Sequence, residues 1–195
     1  MSDAWKSFFS ELVAVILGIV ITFAGQGAID RAHSRKEVRS ALQLVRTELI
    51  SNRQDIVDLR EILEQVQESA QYLADNPAQL KNIDRLDSTT LSTVTYHQGM
   101  VLAEVSVTLP HDALELLKTS SIFQKIGDNS LSMKIIRAYD SCSQMAISVD
   151  RHIAERNAQP ADSLYNWIEL HDPRVFADPA DIDKAITAIN VYLRR

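Results

Sequence analysis

The chain has 195 residues, five glycines and five prolines, 46% hydrophobic side chains and a formal net charge of −6 at neutral pH. Glycine plus proline falls well below the roughly 12% of average usage, which excludes a turn-rich sandwich or barrel. No G-x-G-x-x-G or G-x-x-x-x-G-K-[ST] pattern is present to cradle phosphates, and the acidic balance argues against a nucleic-acid partner.

Leu12 to Ile29 reads LVAVILGIVITFAGQGAI, eighteen residues without a charge. As a helix, Phe8 to Ile29 matches the roughly 30 Å hydrocarbon core of a bilayer. A cleaved signal peptide and a buried core helix are the rival readings of this run. The leader MSDAWK, with Asp3 and a lone Lys6, makes a poor basic n-region, so a retained transmembrane helix is expected. Glu11, Ala14, Gly18, Thr22 and Gly25 fall on one stripe of that helix. Small and polar residues allow close backbone approach in lipid, so the stripe is expected to contact a second copy or another membrane protein. Glu11 at its head is either solvated among headgroups or, in an oligomeric pore, lines the axis. The following flank carries Arg31, Arg35, Lys36 and Arg39, expected to contact lipid headgroups. That excess places the larger domain on the cytoplasmic side of the inner membrane.

Val38, Leu42, Val45, Leu49, Asn52, Ile56, Leu59, Leu63, Val66, Ala70 and Leu73 then step alternately by four and three. This heptad pattern fits a parallel coiled coil between protomers or, because Leu44, Val57 and Ile62 widen the apolar face, an intramolecular bundle. Asn52 is its one polar position. No glycine or proline interrupts residues 28–76, so the membrane and heptad helices are expected to be continuous until Pro77. Residues 78–109 read as helix, with Val101, Ala103, Val105 and Val107 offering an alternating strand instead. Pro110 opens a short helix, and Asp128 or Asn129 caps a longer one to about Asn157 with Met133, Ile136, Tyr139 or Asp140, and Ile147 on its buried side. A short helix is expected around Tyr165 and Trp167. Asp178-Pro179 starts the last one, with Ile182, Ile186, Ile189 and Leu193 inward. Residues 1–29 thus form a tail and transmembrane helix, and 30–195 one helical domain.

The search for chemistry returns little. The five histidines show no metal-ligand spacing, and Asp172, Asp178, Asp181 and Asp183 lack the order of a calcium loop. Cys142 and His152 lie about 15 Å apart along one helix, too far for a nucleophile and its base. The single cysteine also excludes an internal disulfide framework. No catalytic residue, metal, cofactor or small-molecule substrate is expected, and the chain reads as a non-enzyme.

SELVAVILGIVITFAGQGAIDRAHSRKE followed by ALQLVRTELISNRQDI resembles the start of an uncharacterised family of small single-pass bacterial membrane proteins. The matching positions are Glu11, Gly18, Arg35, Lys36, Glu48, Leu49 and Asn52. ALELLKTSSIFQKIGDNSLSMKIIRAYD is similar to that family's later segment through Leu117, Ser120, Ser121, Ile126, Asn129, Leu131 and Tyr139. The resemblance covers about a third of the chain and implies a membrane-anchored helical domain without known catalytic residues.

Overall fold

The computed structural model describes residues 3–157 and 178–194, with side chains from residue 32 onward apart from those of 152, 156 and 157. Every regular element among the described residues is helical, and none is a strand. The predicted helix around Tyr165 and Trp167 lies outside the described residues, as do the side chains of Glu11, Ala14, Gly18, Thr22, Gly25 and Arg31. Among the residues whose side chains are described, no helix is long and apolar enough to cross a membrane.

One helix dominates. α1 runs without a break through Asp3–Asp75, about 110 Å at 1.5 Å per residue. Asn76 closes it, its side-chain amide donating to the Tyr72 carbonyl, and Pro77 occupies the first turn of α2 (Pro77–Lys81), where its missing N–H costs nothing. A 3₁₀ turn (Ile83–Arg85) leads to α3 (Ser88–Leu102). The Asp87 carboxylate accepts from the backbone N–H groups of Thr89 and Thr90 at the start of α3, and the Thr90 hydroxyl holds that carboxyl below its ordinary value.

Residues 103–111 cross over in extended form to α4 (Asp112–Thr119), then α5 (Ile122–Ile126) and α6 (Asn129–Asn157). The alternation is real at Ala103, Val105 and Val107, whereas Val101 is helical, and no strand pairs with the segment among the described residues. Val105 and Val107 pack instead on Leu59 and Leu63 of α1 and Val149 and Ile153 of α6. Gly127 ends α5 at φ +67°, a left-handed turn that glycine adopts without a Cβ clash. Asp128 caps α6 by accepting from the Leu131 N–H, and Asp178 accepts from the Ala180 N–H at the start of α7 (Ala180–Arg194).

Along α1, Val38, Leu42, Val45, Leu49, Asn52, Ile56, Leu59, Val66, Ala70 and Leu73 are buried and Leu63 is half-buried. They are covered by the chain's own helices, which makes the described part an intramolecular bundle. From Val38 to Ile56 the partners are Leu114 and Leu117 of α4, Ile135 and Cys142 of α6, and Ile182 and Ile189 of α7. From Val66 to Leu73 the partners are Val94 and Val101 of α3. A fully buried leucine or isoleucine here contributes about 1.5–3 kcal/mol by leaving water. Leu44 and Ile62 do not widen the buried face; they stay exposed, because the partner helices close on the narrower stripe.

α6 corrects the sequence expectation most. Met133, Ile136 and Ile147 are exposed, whereas Leu131, Ile135, Ala138, Tyr139, Cys142, Met145 and Val149 are buried. Both sets fit helical spacing. The small residues Ala138 and Cys142 are part of that buried face. In α7, Ile182, Ala185 and Ile189 are buried, with Ile186 and Leu193 packed beside them.

Candidate functional site

The sharpest polar arrangement inside the bundle centres on Asn52, which is fully buried. Its side-chain amide donates to the Pro110 carbonyl at 2.8 Å and lies 3.8 Å from the Cys142 sulfur. Its carbonyl oxygen has no hydrogen-bond partner. One turn earlier on α1, the Glu48 carboxylate accepts from the Ala113 backbone N–H at 3.1 and 3.2 Å and from the Tyr139 hydroxyl at 2.6 Å. His111 provides no side-chain cap for α4, so Glu48 caps that helix from a different one. Pro110, Ala113, Tyr139 and Cys142 are thus fixed to two successive turns of α1.

The environment sets the chemistry of this cluster. Burial pushes the Cys142 thiol up to about 11, against a weaker opposing effect of the Asn52 amide. Burial first, and the Glu48 carboxylate second, hold the Tyr139 phenol far above its ordinary value. A neutral thiol, a neutral phenol and a capping carboxylate position helices; none is activated as a nucleophile. Cys142 is also inaccessible, so it cannot report membrane orientation by labelling.

A second ordered set lies on the flank of α1 that faces α7. Arg39 donates to the Leu193 carbonyl near the end of α7, Arg46 donates to Asn190 at 2.6 Å, and Arg53 pairs with Asp183 at 2.6 Å. The three arginines are spaced by seven, two helical turns each, so they form a ladder that sets the antiparallel register of α7 on α1. Such exposed ties contribute little energy individually. Sequence reading missed the ladder, although the spacing was visible, and assigned Arg39 to lipid headgroups alone. Arg35 and Lys36 are exposed and have no partner among the described residues.

The histidines and carboxylates take structural places. His33 pairs with Glu37 at 3.1 Å, and Glu37 also binds Lys125 of α5 at 2.8 Å, which holds the Glu37 carboxyl below its ordinary value. His97 shares a hydrogen bond with buried Ser69 at 3.0 Å and stacks on Tyr72 at 4.1 Å, joining α3 to α1. Asp181 pairs with Lys184, while His171 and Asp172 lie outside the described residues. No group of three or more His, Cys, Asp or Glu side chains could hold a metal ion among the described residues. The α6–α7 side carries an open groove of about 690 Å³ whose walls include Leu131, Lys134, Thr187 and Val191, with no converging reactive groups.

Comparison with protein-family models, with curated proteins and with solved structures found no match for this chain.

Proposed function

We propose that this chain is a non-enzymatic, single-pass protein of the inner membrane whose helical domain works as a scaffold, sensor or accessory subunit. One observation carries the reading. The eighteen-residue uncharged run lies on the same unbroken helix whose stripe from Val38 to Leu73 organises every core of the domain. A helix held at one end by lipid and at the other by a bundle gives its domain a fixed address and orientation. The polar cluster of Glu48, Asn52, Tyr139 and Cys142 supports a positional role, because its groups lock helices together and none is chemically activated. In this reading Ala14, Gly18, Thr22 and Gly25, with Glu11 at their head, contact a second copy or another membrane protein.

Alkaline extraction of membranes from cells making the full chain tests the anchor. The wild-type protein stays in the pellet, and Ile16→Arg/Ile19→Arg moves it to the supernatant, since each arginine costs roughly 2.5–3.5 kcal/mol at a span centre. Release of the wild-type protein would overturn the anchor. Light scattering of the detergent-extracted protein tests the contact. Gly18→Ile lowers the oligomer mass, and an unchanged mass refutes the small-residue stripe.

A further inference from the structure

The charge of the domain is sorted along α1. Between residues 32 and 47 the helix carries Arg35, Lys36, Arg39 and Arg46 against Glu37 alone. Between residues 48 and 75 it carries Arg53 and Arg60 against Glu48, Asp55, Asp58, Glu61, Glu64, Glu68 and Asp75. The tertiary contacts extend the sorting to elements far away in sequence. The Lys125–Glu37 pair puts the end of α5 beside the first turns of this segment, and the Arg39–Leu193 bond puts the end of α7 there. Arg194 in the last turn of α7 therefore joins Arg35 and Lys36 at the same end, about 8–15 Å beyond residue 30 at 1.5 Å per residue. Lys125 neutralises Glu37, the acid nearest Arg35 and Lys36. Arg35, Lys36 and Arg194 are exposed and have no partner among the described residues. Asp128, a further acid among the described residues at that end, caps α6.

We propose that this end of the bundle is a docking face for an anionic lipid surface, built by Arg35 and Lys36 of α1 and Arg194 of α7, with the Lys125–Glu37 pair beside them. The inference deepens the membrane reading and rests on it for the place where α1 leaves the domain. Basic groups within a Debye length of an anionic leaflet are attracted to it. The acidic distal half of α1 is repelled by the same surface. Attraction acts at the basic end, and the acids, more than about 25 Å out and screened there, are repelled only when tilting brings them near, which favours α1 along the membrane normal. A chain of net charge −6 gains this only because its two ends differ in sign.

The test uses the full chain in nanodiscs of phosphatidylcholine alone or with 30% phosphatidylglycerol, an amount on the order of anionic inner-leaflet content. Lysine acetylation is followed residue by residue. Lys36 and Lys125 are expected to react about fivefold or more slowly in anionic discs, while the distant Lys81 and Lys184 are unchanged. R35E/R194E, a pair of exposed positions, removes that protection and R35K/R194K keeps it, with folding checked by circular dichroism. Equal reactivity of Lys36 and Lys125 in the two discs overturns the docking face. Protection that survives R35E/R194E overturns it as well. Stronger protection by a single-stranded RNA oligomer than by anionic discs would assign the face to a different polyanion and overturn the lipid assignment. If the chain does not copurify with discs, the anchor fails separately. The same acetylation with preformed anionic vesicles then decides: protection of Lys36 and Lys125 supports docking, and its absence overturns it.

Discussion

Replacing Asn52 by leucine removes the most anomalous group in the core while keeping its branched side-chain skeleton, with wider methyl ends in place of the amide oxygen and nitrogen. The Asn52 carbonyl oxygen is buried without a partner, and such an atom costs about 1–3 kcal/mol of desolvation. Against this stands the amide bond to the Pro110 carbonyl at 2.8 Å, whose net contribution is about 0.5–1.5 kcal/mol. The 3.8 Å approach to the Cys142 sulfur adds little. The balance favours Asn52→Leu by about 1 kcal/mol, or a rise in melting temperature of about 2–4 °C for a domain of this size. Asn52→Asp has the opposite effect, because it buries an unpaired carboxylate one turn from Glu48; a loss of about 3–5 kcal/mol is expected. Thermal unfolding of the detergent-solubilised full chain, followed by circular dichroism at neutral pH, measures both. A melting temperature lowered by Asn52→Leu would show that the orphaned oxygen is not a cost, and the reasoning would fall.

Three further outcomes follow from the same cluster. Thiol modification of native protein at mildly alkaline pH should run at least about a hundredfold slower than in denaturant, since Cys142 is buried and its thiol is pushed up to about 11; a comparable rate would place the thiol at the surface. The raised native value also means the thiol stabilises fully below the unfolded pKa, and that stability is lost as pH rises through it toward 11, a slope that Cys142→Ala should reduce in urea titrations. The Glu48–Tyr139 bond at 2.6 Å predicts a coupling of about 1 kcal/mol in a double-mutant cycle of Glu48→Gln and Tyr139→Phe. Additive losses would refute the bond.

Much of the architecture was legible because local physics decided it. Pro77, Asp128 and Asp178 act on their immediate neighbours, so helix ends could be read from sequence. The stripe on α1 was legible because its large aliphatic residues recur over many turns. The phase of α6 was not, since Met133, Ile136 and Ile147 compete with Leu131, Ile135 and Met145, and only the packed neighbours choose between them. The alternation at Ala103, Val105 and Val107 shows a related ambiguity: a two-residue period records an extended segment with one buried side, whether or not a strand lies beside it. Glu48 stood in the sequence as one position of a resemblance. Its work as a cap for α4 depends on a partner 65 residues away, and no local signal encodes that. Asn52 stands out in the sequence as the polar position of the stripe, but its companions Pro110 and Cys142 emerge only from the fold.

The unbroken course of α1 has a consequence for insertions and deletions. Each residue added to a helix turns everything beyond it by about 100° and lifts it by about 1.5 Å. From Val38 onward such a change would tear the buried stripe away from α4, α6, α7 or α3. Residues 32–37 of α1, by contrast, are exposed or half-buried and belong to no core. A single residue gained or lost between 32 and 36 would leave the buried contacts and the Glu37–Lys125 pair intact while turning the bundle by about 100° about the axis of α1. The length of that short stretch sets the azimuth of the packed bundle about the axis of α1, a setting separate from the charges it carries.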